Sequence, residues 1–86
     1  MKGVTTMFTT KAINQKMEQD PIFSLFVFQS LIRFVSGDWG EVNQEDAAAN
    51  TAGPEFATAY YTDANGVKIC IKSIEPAIVI LFPNED

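Results

Sequence analysis

The spacing of apolar residues changes period along this chain, and each change marks a boundary between element types. Between Lys11 and Gln19, Ala12, Ile13 and Met17 recur at one-turn spacing, which predicts a short, weak helix capped by Thr9 or Thr10. The chain resets at "QDPIF". Asp20 is a good N-cap, Pro21 suits the first helical position, and the residue before a proline resists the helical conformation. A second helix is therefore predicted over Pro21–Val35. One of its faces carries Phe23, Phe26, Val27, Leu31 and Phe34, and an adjacent face carries Ile22, Leu25, Phe28, Ile32 and Val35. Its polar residues are Ser24, Gln29, Ser30 and Arg33. A helix this apolar is either the central helix of the fold or has a second surface set against another chain. Gly37 supplies the left-handed position that commonly ends a helix.

A third short helix is expected in "NQEDAAAN". Asn43 is its N-cap, Gln44 and Glu45 lie in its first turn, and Asp46 occupies its third position, where the helix dipole favours negative charge. Asn50 and "TAGPE" stop it. From Phe56 the period becomes alternating. "FATAYYT" and "GVKICIKS" flank "DANG", whose Asn65 and Gly66 tolerate positive φ, so Phe56–Thr62 and Val67–Ser73 read as an antiparallel hairpin. Val67, Ile69 and Ile71 point to one face and Lys68, Cys70 and Lys72 to the other, while Tyr60 and Tyr61 must face opposite ways. "SIEP" turns the chain into a third strand, Ala77–Phe82, whose apolar run without alternation reads as a strand covered on both faces. The expected fold is α+β in one domain over residues 1–86: a three-stranded antiparallel meander packed against the long helix, with short helices at its edges.

Composition narrows the functional classes. The 86 residues, 47% apolar and with seven Phe among ten aromatics, belong to a folding domain with one core rather than a disordered tail. No apolar run reaches the ~18 residues of a bilayer span, and the start "MKGVTTMFTTKAINQ" has no hydrophobic leader core, so a cytoplasmic protein with no membrane association is expected. With a single cysteine and no histidine, an internal disulfide is excluded, and zinc or haem would need a carboxylate set with one thiolate; no metal or cofactor is expected. The net charge of −5 opposes direct contact with nucleic-acid phosphates and favours a partner with a basic surface.

The stretch from Ser36 to Asp46, "SGDWGEVNQED", concentrates four carboxylates, Asp38, Glu41, Glu45 and Asp46, around the chain's one tryptophan. Its structural reading is a corner. Gly37 ends a helix, Asp38 bonds nearby backbone N–H groups, and Trp39 folds back over the core. Asp38 with Glu41 is the sole pair suggesting acid–base chemistry, but two carboxylates three apart in a turn are more often a solvated face. A small carboxylate-dependent hydrolase is thus a minor alternative, no catalytic residue is assigned, and a non-enzymatic role is expected. Glu45 and Asp46 are explained by a helix N-terminus, and all four acids can line one acidic edge that serves as the partner-binding surface. Cys70 lies between Lys68 and Lys72, where two ammoniums would lower its pKa, yet no general base accompanies it.

These residues also carry a resemblance. "SGDWGEVNQEDAAAN", the hairpin ending "ANGVKICIKS" and "AIVILFPNED" resemble a family of short bacterial proteins borne on plasmids, prophages and other mobile elements, often labelled plasmid-related proteins. Its pattern is an amphipathic helix, a G-D-W-G-[DE]-[VL]-x-x-E-D-x-x-x-N block, a strand with a tyrosine, a D-G-T-K-I-W-I hairpin and a last strand ending L-[LF]-P-x-[ED]. The likeness runs from about Ile22 to Glu85, and Gly37, Asp38, Trp39, Gly40, Glu41, Glu45, Asp46 and Asn50 fall in place. Gly37, Trp39, Gly40 and Gly66 are the positions expected to be structural. Two departures stand out: Cys70 replaces an aromatic, usually Trp, and "SIEPAIVIL" replaces a more polar segment.

The resemblance implies a mobile-element setting and no defined chemistry. The leading expectation is a protein-binding module, most concretely an acidic inhibitor of a host defence nuclease of the CRISPR or restriction type, whose carboxylates take the place of phosphates. The alternative is a homodimeric structural or regulatory protein, motivated by the second apolar face of Pro21–Val35 and by the apolar last strand.

Overall fold

The computed structural model describes residues 6–86. Its first element is a short strand, β1 (Thr6–Thr9), followed by helix α1 (Lys11–Gln19). Thr10 caps α1, its hydroxyl accepting from the Ile13 N–H at 3.3 Å. Asp20 serves two helices at once. Its own N–H donates to the Lys16 carbonyl and closes α1, while its carboxylate accepts from the Ile22 and Phe23 N–H groups at 3.1 and 3.2 Å and opens α2 (Pro21–Val35). Helix α3 (Gln44–Ala52) starts under the Asn43 cap, and a 3-10 turn at Pro54–Phe56 leads into the sheet strands β2 (Thr58–Thr62), β3 (Lys68–Ile74) and β4 (Ala77–Leu81). A second 3-10 turn, Pro83–Glu85, follows β4.

The architecture is α+β, but the sheet is mixed and four-stranded, in the order β1-β4-β3-β2. The β2-β3-β4 meander is antiparallel, and β1 joins its far edge in parallel, Thr6 beside Ala77 through Thr9 beside Ile80. The expectation of three strands is corrected here. A four-residue strand is too short to show a period, and its partner lies some seventy residues away, so no local pattern announces it. The hairpin's first strand begins at Thr58 rather than at Phe56, because Pro54 starts a 3-10 turn there and leaves Phe56 exposed, and its second strand runs Lys68–Ile74 rather than Val67–Ser73.

Register sorts the side chains. Ala59, Tyr61, Ile69, Ile71, Ser73, Ile78 and Ile80 share the face beneath the helices, and all are buried. Against them pack Ile13 of α1 and Phe23, Val27 and Phe34 of α2, spaced so that one stripe of α2 meets the sheet. The other face carries Phe8, Ala77, Val79, Lys72, Tyr60 and Cys70. Its Cys70 is buried, with Leu81 beside it, but its Ala77 and Val79 are only half-buried and its Phe8 exposed, so the second face of β4 is covered at one end rather than along the whole run. Among the described residues, no helix is long and apolar enough to cross a membrane.

Candidate functional site

The turn out of α2 is built on glycine. Gly37 sits at φ +87°, and the Asp38 N–H returns to the Arg33 carbonyl at 2.9 Å, which closes the helix. The Asp38 carboxylate then accepts from Arg33 Nε at 2.7 Å, from its Nη2 at 3.3 Å and from the Gly40 N–H at 3.1 Å. The Arg33 side chain and the Gly40 N–H together hold the Asp38 carboxyl below its usual range. Near neutral pH it therefore has no proton to donate, so a role as general acid beside Glu41 is not favoured.

Trp39 drops into the core at 7% exposure, edge-on to Phe34 with ring centroids 5.3 Å apart, and its indole N–H donates to Thr51 Oγ1 at 3.0 Å. Gly40, at φ +68°, then runs alongside Tyr60 of β2, and the Glu41 N–H donates to the Tyr60 carbonyl at 2.8 Å. From below, the buried Tyr61 hydroxyl donates to the Asp38 carbonyl at 2.6 Å, and the Arg33 guanidinium lies 4.9 Å from the Tyr61 ring centroid.

Eight residues past Val42 the same segment touches β2 again. Asn50 is buried on α3; its Nδ2 donates to the Thr58 carbonyl at 2.8 Å and its Oδ1 accepts from the Thr58 N–H at 3.2 Å. One side-chain amide thus takes the place of a neighbouring strand. Together with the Gly40 and Glu41 backbone it occupies the outer edge of β2, where unpaired donors and acceptors would otherwise template aggregation. Sequence reasoning had Asn50 stop the third helix; instead α3 runs on to Ala52 with Asn50 inside it, its side chain bonded to β2 rather than to the helix end, and Tyr61 and Thr51 were overlooked as partners of the corner.

The four acids fall into two classes. Asp38 is paired with Arg33, and Glu41 lies 3.7 Å from Lys68. Glu45 and Asp46 stand exposed in the first turn of α3 with no cation within ion-pair distance among the described residues. No three His, Cys, Asp or Glu side chains of the described residues gather closely enough to hold a metal ion.

Cys70 lies between Lys68 and Lys72 as expected from alternation, but their charges do not set its pKa. Flanked across the ladder by Tyr60 and Leu81, it is fully buried, and burial pushes its pKa up rather than down. Burial raises the Tyr61 phenol in the same way. A group whose folded pKa is raised supports the fold fully below its unfolded pKa, about 8.5 for Cys and 10 for Tyr, and loses that support as pH rises toward the folded value. The urea midpoint is therefore expected to be flat up to about pH 8.5 and to fall above it. Cys70→Ala and Tyr61→Phe should each flatten that fall, and an unchanged slope in both would contradict the assignment.

A row of exposed apolar residues lies on α2. Ile22, Leu25, Phe28, Ile32 and Val35 form a continuous stripe, each between 46% and 72% exposed, on the side of the helix away from the sheet. A groove of about 310 Å³ runs beside it, lined by Ile22, Leu25, Gln29, Arg33 and the β2–β3 turn residues Asp63 and Ala64. Comparison with known proteins adds no identity: no protein-family model, no curated protein and no solved structure matches the chain.

Proposed function

We propose that the chain is a non-enzymatic protein-binding module whose contact surface is the outer face of α2. The observation that carries this reading is the stripe Ile22–Val35. Five large apolar side chains are left in solvent in one helix-long row, whereas the other exposed large apolar residues, Met7, Phe8, Phe56 and Ile74, lie off that helix on β1, the 3-10 turn and β3. Isolated exposed apolar residues are ordinary, but a contiguous row on a rigid element marks a surface meant to be covered. Three open grooves lie beside α2 and α3, and among the described residues that line them no side-chain nucleophile is hydrogen-bonded to a base.

The reading is tested by co-purification of the tagged chain with host proteins and with a second, differently tagged copy. Leu25→Glu with Ile32→Glu should abolish the association while leaving the circular dichroism spectrum and melting temperature within a few degrees of the parent. Association that is indifferent to both substitutions, or absent in the parent, sinks it.

A second reading is favoured by Glu45 and Asp46, which carry uncompensated charge at the corner of a protein of net charge −5. In it the acidic edge docks on the basic nucleic-acid channel of a host defence nuclease, CRISPR or restriction type, in the cytoplasm of a cell that carries the mobile element suggested by the G-D-W-G block. The two surfaces separate by salt. Binding through Glu45 and Asp46 weakens steeply between 50 and 500 mM salt and is lost on charge reversal there, whereas binding through α2 is nearly salt-independent.

A further inference from the structure

We infer that the surface covering the α2 stripe is a second copy of this chain, packed antiparallel across a two-fold axis. The inference rests on the protein-binding reading above and names its partner. The stripe is symmetric in sequence. Exposed positions 22, 25 and 28 on one side and 29, 32 and 35 on the other are mirror-spaced about the midpoint between Phe28 and Gln29.

A two-fold axis through that midpoint sets Ile22 of one copy level with Val35 of the other and Leu25 level with Ile32. Phe28 and Gln29 each meet their own counterpart at the axis. This is the property an isologous interface requires, that contact i with j is repeated as j with i. With 3.6 residues per turn, Ile22 and Gln29 lie toward one flank of the stripe and Phe28 and Val35 toward the other, with Leu25 and Ile32 in the middle. Side chains at one level therefore come from opposite flanks and interdigitate. Gln29, the stripe's polar position, lands where its amide can donate to and accept from its counterpart.

Electrostatics and area agree with this occupant. The antiparallel arrangement sets the two helix dipoles head to tail. The only charged residue of α2, Arg33, is already held by Asp38 and faces Ser24 of the other copy, so no like charges meet across the seam. The five apolar residues together expose on the order of 600 Å² per copy, so that with the flanking Gln29, Arg33 and hairpin residues of the groove a contact centred on them approaches the ~800 Å² per partner of a stable interface. The exposed sheet-face residues Phe8 and Ile74 are a weaker candidate, because Lys68 and Lys72 share their face and Lys72 is paired there with Asp86.

The test uses the full chain. Light scattering and sedimentation between 1 and 200 µM should show a dimer with a dissociation constant in the low micromolar range or below, raised at least tenfold by Ile32→Glu. Register is read by cross-linking. On mild oxidation Gln29→Cys alone should form an intermolecular disulfide, and Leu25→Cys, which like Ile32 lies in the middle of the stripe, should cross-link when mixed with Ile32→Cys but not with itself. A monomer at 200 µM overturns the second-copy assignment. If that monomer still captures another protein and loses it on Leu25→Glu, the binding-module reading survives with a different partner; if it captures nothing, both fall. A dimer that survives Ile32→Glu, or that cross-links Leu25→Cys to itself, places the interface elsewhere or in parallel register and also overturns it.

Discussion

Gly40→Ala is expected to leave little or no folded protein at 25 °C, while Gly37→Ala and Gly66→Ala are each expected to cost only about 1 to 2 kcal/mol. All three glycines sit at positive φ, +68°, +87° and +82°, so the conformational penalty of adding a Cβ is similar at each. The surroundings differ. Nothing lies within 4 Å of a Cβ built on Gly37 or Gly66, whereas one on Gly40 falls on the Tyr60 carbonyl oxygen and within 2.7 and 2.8 Å of the Tyr61 ring. The first obstacle is backbone and the second is a fully buried ring, so neither can swing aside as an exposed lysine would.

To make room, the segment must lift from β2. That breaks the Glu41 to Tyr60 hydrogen bond, pulls Asp38 off the Tyr61 hydroxyl and reopens the sheet edge. Losses of ~1 kcal/mol or more for each of these, added to the φ penalty, consume much of the ~4 to 13 kcal/mol expected for a chain of this length. Urea titration of the three variants in parallel decides it. A Gly40→Ala protein as stable as Gly37→Ala would mean that the segment does not lie against β2.

The local elements were readable because their signals are local. The Asp20–Pro21 step, the Asn43 cap and the "DANG" turn each act within four residues of themselves, and they fix the end of α1, the starts of α2 and α3 and the turn between β2 and β3 as the structure has them. What escaped is whatever depends on distant pairing. β1 exists only because β4 offers it an edge, and Asn50 matters only because Thr58 lies beside it. Cys70 shows the same limit from another side. Alternation puts it correctly on the face of Lys68 and Lys72, but whether that face is wet at one point depends on Tyr60 and Leu81, its neighbours across the ladder. The corner's glycines could be recognised as turn residues; that Gly40 is a glycine for lack of space rather than for its φ alone could not, since the space is taken by a strand some twenty residues on.

Trp39→Ala should cost roughly 3 to 5 kcal/mol, the usual penalty for emptying a buried aromatic site. Trp39 joins three parts of the molecule: its ring packs edge-on to Phe34 at the end of α2, its N–H holds Thr51 on α3, and its backbone leads directly into the Gly40 contact with β2. Trp39→Phe keeps the ring contact and loses the indole hydrogen bond, which is part-buried, so it should cost about 1 to 2 kcal/mol. The charge reversals Glu41→Lys and Glu45→Lys should by contrast leave the melting temperature within a few degrees, because exposed acids contribute little to folding; Glu41 gives up only a weak contact to Lys68. Chemical denaturation gives this order directly: Trp39→Ala well below Trp39→Phe, and both below the reversals. The same proteins, assayed for association with a second copy and with basic partners at low salt, separate architecture from recognition. If the corner is architectural, Trp39→Ala loses association only to the extent that it unfolds. A Trp39→Ala protein that stays folded and dimeric but no longer binds a basic partner would make the corner itself the recognition surface and move the function from α2 to Asp38, Glu41, Glu45 and Asp46.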